Sequence, residues 1–139
     1  MVLGEKLFEE TGKTINIKIV KVHPVEGTTM EVTFVSELKG AGRVPDGKNI
    51  GSGLSTHYPH GSVDASYQGV YTSNEGDQFM WWAHEKSKAM EGGRTKGLVI
   101  VSGYSNSQKL SWMNNVVIAI DSQYDPAAQQ FKGTAYEWK

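Results

Sequence analysis

The sequence predicts an all-β fold, namely an antiparallel up-and-down barrel of about eight strands with a short N-terminal helix. About eight segments either alternate apolar and polar side chains or are continuously apolar, as strands do. Short turns rich in Gly, Asn, Asp and Pro separate them, which favours antiparallel pairing of consecutive strands. Several segments are apolar on both faces, and a closed barrel buries one face in its lumen while removing exposed edges. A two-sheet sandwich is the alternative architecture.

Length and composition indicate one ordinary globular domain spanning residues 1–139. The formal net charge is −1 and no Lys/Arg run occurs, so no nucleic-acid partner is predicted. The longest apolar run, "VVIAI", is far too short to cross a bilayer, and we expect no membrane partner. The absence of cysteine excludes disulfides and thiolate metal ligands and is compatible with the cytoplasmic location that we expect.

The N-terminal third of the chain contains the predicted helix and the first three strands. Leu3, Leu7 and Phe8 have the i, i+4, i+5 spacing of a narrow helical stripe, and Gly12 suits the position after a helix end. Alternating residues follow in "TINIKIVKV" and in "TTMEVTFVSEL", which predicts two half-buried strands. The Gly-rich segment "KNIGSGLSTHY" is a weaker strand or an open loop.

The remaining five strands are bounded by clear turn signals. "SVDASYQGVYT" alternates regularly, and the turn "SNEGD" connects it to "QFMWWAHEKSK" as a hairpin. The turn "EGGR" precedes the strand "KGLVIVSGY", and "SNSQK" precedes "LSWMNNVVIAI". "YDPAAQQ" then leads to the last strand, "FKGTAYEWK".

Two adjacent asparagines interrupt the apolar segment "LSWMNNVVIAI". In a continuous strand Asn114 lies in phase with Trp112 and Ile118, and we assign this face to the lumen. An unpaired buried amide costs about 1–3 kcal/mol, so Asn114 needs partners. Asn114 either bonds a neighbouring side chain or the backbone at a bulge, or it is the fixed polar point of an apolar ligand pocket.

The aromatic segment "QFMWWA" places two tryptophans on opposite faces of one strand, so one of them points inward. Trp81 shares its face with Glu85, a carboxylate that would lie near the pocket mouth. Burial would raise the pKa of Glu85 and suit it to proton transfer, with Tyr67 as a second proton carrier. Alternatively, Glu85 belongs to a solvated strand end. The predicted ligand-binding residues are Asn114, Trp112, Trp81, Tyr67 and Glu85, and the catalytic residues are unknown.

The sequence predicts no metal site and no cofactor. His57 and His60 flank Tyr58-Pro59 in "HYPH", but zinc needs at least three protein ligands and no spacing ties in another histidine. No G-x-S-x-G motif occurs, and "GSG" at residues 51–53 lacks the lysine of a phosphate-binding loop.

The segments "YQGVYTSNEGDQFMWWA" and "LSWMNNVVIAIDSQYD" and the terminal "YEWK" resemble a set of uncharacterised prokaryotic and archaeal small β-barrel proteins. The positions that carry this resemblance are Gln68, Gly69, Trp81, Asn114, Asn115, Glu137, Trp138 and Lys139. That family is similar to calycin and allene oxide cyclase-like barrels, which implies a lumen for an apolar small molecule and oligomeric assembly.

Three functions are consistent with this sequence. The first is a non-catalytic binder of a small apolar molecule in the barrel lumen. The second is an isomerase or cyclase-type enzyme, in which Asn114 fixes a carbonyl group and Glu85 or Tyr67 moves a proton. The third is an oligomeric structural or interaction protein, in which strands that are apolar on both faces form a homo-oligomer interface.

Overall fold

A computed structural model describes residues 2–139 as a closed barrel in which each strand pairs antiparallel with its sequence neighbours, and β8 pairs with β1. The strands are β1 (Leu3–His23), β2 (Gly27–Gly40), β3 (Gly47–His57), β4 (Val63–Ser73), β5 (Gln78–Ala89), β6 (Thr95–Tyr104), β7 (Val117–Asp125) and β8 (Gln130–Trp138). Two short 3-10 turns, Glu91–Gly93 and Ser111–Asn115, precede β6 and β7.

The strands are strongly staggered around the barrel. We start at Glu10 of β1 and move around the barrel from each residue to the residue paired with it on the next strand, from β8 down to β2. This path returns to β1 at Val22, twelve residues further along the strand. Stagger of this kind tilts the strands, and eight tilted strands enclose a space wide enough for one small ligand.

The predicted N-terminal helix is wrong, because residues 3–12 form the first half of β1. The pairing of β1 with β8 is irregular between Leu3 and Lys6 and again between Lys6 and Phe8. Around these irregularities both Leu7 and Phe8 are buried, whereas a regular strand would turn one of them outward. Two consecutive buried residues after Leu3 produced the spacing that resembles a helical stripe.

The second half of β1 extends beyond its pairing with β8. Its pairing with β8 ends at Lys13, and from Asn16 to His23 it pairs with β2. We call residues 15–22 the β1 arm. Apolar side chains on the arm are exposed, including Ile19 at 58% and Val22 at 71%.

One end of the barrel is closed by the segment between β6 and β7. Leu110 and Met113 are buried there and pack in the same cluster as Leu7 of β1 and Val44 of the β2–β3 connection. The strand predicted over residues 110–120 is therefore shorter than expected, since β7 begins only at Val117.

Candidate functional site in the barrel lumen

The lumen contains a cavity of about 430 Å³. Its walls are mostly apolar and aromatic, and they include side chains from every strand of the barrel. The principal apolar wall residues are Phe8, Ile17, Val32, Phe34, Phe79, Trp81, Val99, Val101, Ile118, Ile120 and Phe131. Volumes of this size and apolar walls with a few polar groups are typical of small-molecule sites.

The cavity opens at the end opposite the Leu110–Met113 closure. Its lining there includes Pro126 and Gln129, which are exposed, and Ile17, which is 38% exposed. Gln129 has a left-handed backbone conformation, with φ 53°, in the β7–β8 turn. We call this end the mouth, because it is where the cavity lining reaches solvent.

A chain of hydrogen bonds fixes one side of the cavity wall. The Trp81 indole Nε1 donates to Asn49 Oδ1 at 2.7 Å. Asn49 Nδ2 lies 3.5 Å from Glu10 Oε2, which also accepts from the Ser36 hydroxyl at 2.5 Å. Burial raises the pKa of the Glu10 carboxyl above its ordinary value, and the hydrogen bonds from Ser36 and Asn49 partly offset this effect.

Two glycines make room for the indole ring of Trp81. A Cβ at Gly69 would lie 2.4 Å from Trp81 Cζ2, and one at Gly51 would lie 2.8 Å from Trp81 Cη2. Because real Cβ atoms do not approach so closely, the ring depends on these two positions having no side chain. Phe34 packs beside Trp81, with ring centroids 6.1 Å apart, and meets Tyr67 edge-to-face at 5.4 Å.

A second polar group combines Glu85 and Tyr67. The Tyr67 hydroxyl donates to Glu85 Oε1 at 3.2 Å, and both side chains line the cavity. Burial raises the pKa of the Glu85 carboxyl, although hydrogen bonds from Ser87 and Tyr67 act in the opposite direction. Burial, and then the Glu85 charge, raise the pKa of the Tyr67 phenol, so this hydroxyl stays protonated at neutral pH.

His57 also lines the cavity, and its Nε2 lies 3.0 Å from the Ser55 hydroxyl. Burial lowers the pKa of the His57 imidazole, which favours the neutral ring. Among residues 2–139, the structure assembles no group of three or more His, Asp or Glu side chains suited to holding a metal ion.

Asn114 does not line the cavity. It lies in the Ser111–Asn115 turn at the closed end, where its amide makes two hydrogen bonds to the backbone of Ser105. The Ser105 N–H donates to Asn114 Oδ1 at 2.7 Å, and Asn114 Nδ2 donates to the Ser105 carbonyl at 2.9 Å. Asn114 therefore hydrogen-bonds the backbone, as one of the two sequence-based alternatives predicts. These bonds connect the closing segment to the end of β6.

Trp112 lies at the same closed end and likewise outside the cavity lining. It packs against the buried core, and the Arg43 guanidinium stacks 3.8 Å from its ring centroid. The structure therefore brings Trp81, Tyr67 and Glu85 together in the lumen and places Asn114 and Trp112 in the closure.

Sequence reasoning missed Glu10 and Asn49 as cavity residues. Glu10 lies within the predicted helix, and Asn49 lies within the Gly-rich segment for which the sequence predicts a weak strand or a loop. Alternation would have given the signal for Asn49, because it is in phase with the glycines at 47, 51 and 53 on the inward face.

Fold and site together define a small β-barrel protein with a ligand-sized cavity. No family model matches the chain, and no curated protein is significantly similar to it in sequence. Solved structures share its fold. A protein with unknown function from Clostridium acetobutylicum is similar at a TM-score of 0.83 and 14% identity, with both chains covered completely.

A beta-barrel like protein from Acinetobacter baumannii is similar at a TM-score of 0.80 and 12% identity, over 99% of this chain and 96% of that chain. An enzyme from Penicillium herquei is similar at a TM-score of 0.65 and 17% identity, over 96% and 92% of the two chains. At these identities the similarity establishes the barrel fold and no activity. Within residues 2–139, no helix is long and apolar enough to span a membrane.

Proposed function

We propose that this protein binds a small, largely apolar molecule in the barrel lumen. The observation that carries the proposal is the cavity of about 430 Å³, which combines aromatic and aliphatic walls with a few fixed polar groups. A protein whose lumen served only stability would be expected to fill it with side chains, since protein interiors are close-packed. The barrel family that the sequence resembles is similar to calycin-like barrels, which hold apolar molecules, and this agrees with the proposal.

Hydrogen bonds within the protein hold the polar groups of the lumen in place. The bond from Trp81 to Asn49 orients the indole against the wall, and the bond from Tyr67 to Glu85 fixes that carboxyl. Fixed groups reduce the entropy that binding must remove, which favours affinity in a pocket of this size.

Titration with N-phenyl-1-naphthylamine, an uncharged fluorescent probe of apolar pockets, tests the proposal. Val99 lines the cavity and its neighbour Ile100 faces outward, so Val99→Trp and Ile100→Trp form a matched pair on β6. We expect one probe to bind per chain, with affinity lost in Val99→Trp and kept in Ile100→Trp. Equal probe binding by both variants would contradict a lumen site.

A second candidate function is proton transfer on a bound carbonyl compound, as in an isomerase. The specific observation in its favour is the Glu85–Tyr67 pair inside an apolar cavity, because a buried carboxylate is a stronger base than an exposed one. A protein of the same fold is an enzyme from Penicillium herquei, which agrees with catalysis in such a barrel.

Exchange of α-protons of 2-tetralone in D₂O, followed by NMR, tests this second function. Glu85 would accept the α-proton while the C–H electron pair moves toward the carbonyl oxygen, and a deuteron would return to the same carbon. We expect Glu85→Gln to slow the exchange by roughly 10²-fold or more, whereas Glu31→Gln, at an exposed position on β2, leaves it unchanged. Equal exchange rates in wild type and Glu85→Gln would exclude Glu85 as the base.

The β1 arm favours a third candidate function, homo-oligomer formation. Exposed edge strands with apolar side chains are templates for pairing with another chain. In light scattering at micromolar concentration we expect an oligomer that Ile19→Lys weakens, and a monomer at that concentration would contradict this assembly.

A further inference from the structure

Among the described residues, acidic side chains line the lumen cavity and no Lys or Arg side chain does. Although the chain has 14 Lys and Arg residues, none of those in residues 2–139 lines the cavity. Glu10 and Glu85 do line it. The imidazole of His57 is the one further basic group in the described lining, and burial lowers its pKa, which favours the uncharged form.

The hydrogen-bond donors beside the two carboxyls are already engaged with protein acceptors. The Trp81 N–H donates to Asn49, whose amide nitrogen and the Ser36 hydroxyl are directed to Glu10. The Tyr67 hydroxyl donates to Glu85. An anionic ligand group placed beside either carboxyl would compete with that carboxyl for these donors.

The carboxyls of Glu10 and Glu85, in contrast, still have free positions at which to accept hydrogen bonds. Within residues 2–139, the hydrogen bonds to Glu10 reach only Oε2, which leaves Oε1 without a donor. Tyr67 occupies one acceptor position on Glu85 Oε1, and Ser87 occupies another on this carboxyl. Because a carboxylate offers about four acceptor positions, both groups can accept a further hydrogen bond from a ligand.

We propose that the cavity selects uncharged molecules that combine an apolar body with a hydroxyl or N–H donor, and that it rejects anions such as carboxylates. This inference rests on the proposed lumen-binding function and specifies its ligand class. An ion moved into an apolar cavity must find an opposite charge or donors. No Lys or Arg among residues 2–139 offsets an anion there, and beside the two carboxyls an anion would face groups of its own sign. A hydroxyl group satisfies a carboxyl acceptor without introducing a charge.

Displacement of N-phenyl-1-naphthylamine by three matched naphthalenes at pH 7 tests the inference. The competitors are 2-naphthaleneethanol, its methyl ether and the carboxylate 2-naphthaleneacetate. They differ mainly in their capacity to donate a hydrogen bond and in charge. We expect the alcohol to bind roughly tenfold or more tightly than the carboxylate and several-fold more tightly than the ether. In the double variant Glu10→Gln with Glu85→Gln, we expect the alcohol-to-carboxylate ratio to fall to roughly threefold or less, since glutamine is neutral and offers donors.

The outcomes separate this inference from the function on which it rests. Equal affinity for the carboxylate and the alcohol, or for the ether and the alcohol, would overturn the ligand class while leaving lumen binding intact. Failure of the reporter dye itself to bind would overturn both. The double variant must still bind the dye, which shows that its barrel is folded, and Glu31→Gln must reproduce the wild-type ratios.

Discussion

Replacement of Trp81 by phenylalanine tests whether the hydrogen-bonded wall of the lumen is built as described. Trp81→Phe keeps an aromatic ring but removes the indole N–H that lies 2.7 Å from Asn49 Oδ1. Asn49 is only 9% exposed, so its carbonyl oxygen would lose its partner in a site with little access to water. The adjacent Trp82 faces outward and is 52% exposed, which makes Trp82→Phe a matched control on the same strand.

The expected cost follows from two effects. A buried acceptor left without a donor costs about 1–3 kcal/mol. The smaller ring also loses packing against Phe34 and the wall at Gly51 and Gly69, for about 1 kcal/mol more. We therefore expect Trp81→Phe to lower the free energy of unfolding by about 2–4 kcal/mol. Trp82→Phe should change it by no more than about 0.5 kcal/mol.

Urea unfolding followed by far-ultraviolet circular dichroism measures both variants without relying on tryptophan emission. The transition midpoint should fall for Trp81→Phe while the slope with urea stays constant. A double-mutant cycle with Asn49→Ala should give a coupling free energy of at least about 0.5 kcal/mol between the two residues. Equal stability of Trp81→Phe and Trp82→Phe, or zero coupling to Asn49, would refute this description of the wall.

Three further predictions concern the closure, the lumen carboxyl and the glycine wall. Asn114→Ala should destabilise the fold by about 1–3 kcal/mol, because both Ser105 backbone groups lose their partner, whereas Asn115→Ala at an exposed position should be neutral in the same urea assay. In thermal melts at a series of pH values, the stability of Glu85→Gln relative to the wild type should increase as pH rises from 4 to 8. Because the folded-state pKa of Glu85 is raised, its protonated form stabilises the fold at low pH, and this contribution is lost as pH rises through the folded-state pKa; a pH-independent difference would contradict this. Gly69→Ala should cost about 1–3 kcal/mol in urea unfolding, since its Cβ would overlap Trp81 and the Ile50 carbonyl, and an unchanged midpoint would contradict the close approach.

Residue alternation predicted most of the barrel because it is set by the strand backbone itself. Tyr67, Trp81 and Glu85 lie in regular strands, so alternation groups Trp81 with Glu85 on one face, and in the structure that face lines the cavity. Short turns between segments likewise indicated neighbouring antiparallel strands, and the structure has that order.

The errors occur where the backbone departs from a regular strand. Leu7 and Phe8 are both buried beside pairing irregularities, and a period-two pattern does not describe such a segment. Strand alternation counted back from Ile118 predicts that Asn114 faces the lumen, but residues 111–115 form a 3-10 turn, in which side chains do not alternate between two faces. Glu10 was missed because burial of a carboxyl depends on Ser36 and Asn49, which are distant in sequence.

The most direct measurement is the position of the bound probe by solution NMR. With ¹³C-labelled isoleucine methyl groups, Ile118 and Ile120 report on the lumen, whereas Ile50 and Ile100 report on the outer surface. Bound N-phenyl-1-naphthylamine should give nuclear Overhauser contacts to the methyl groups of Ile118 or Ile120 and none to those of Ile50 and Ile100. Contacts confined to the outer pair would show that the apolar molecule binds the barrel surface and that the lumen is not the site.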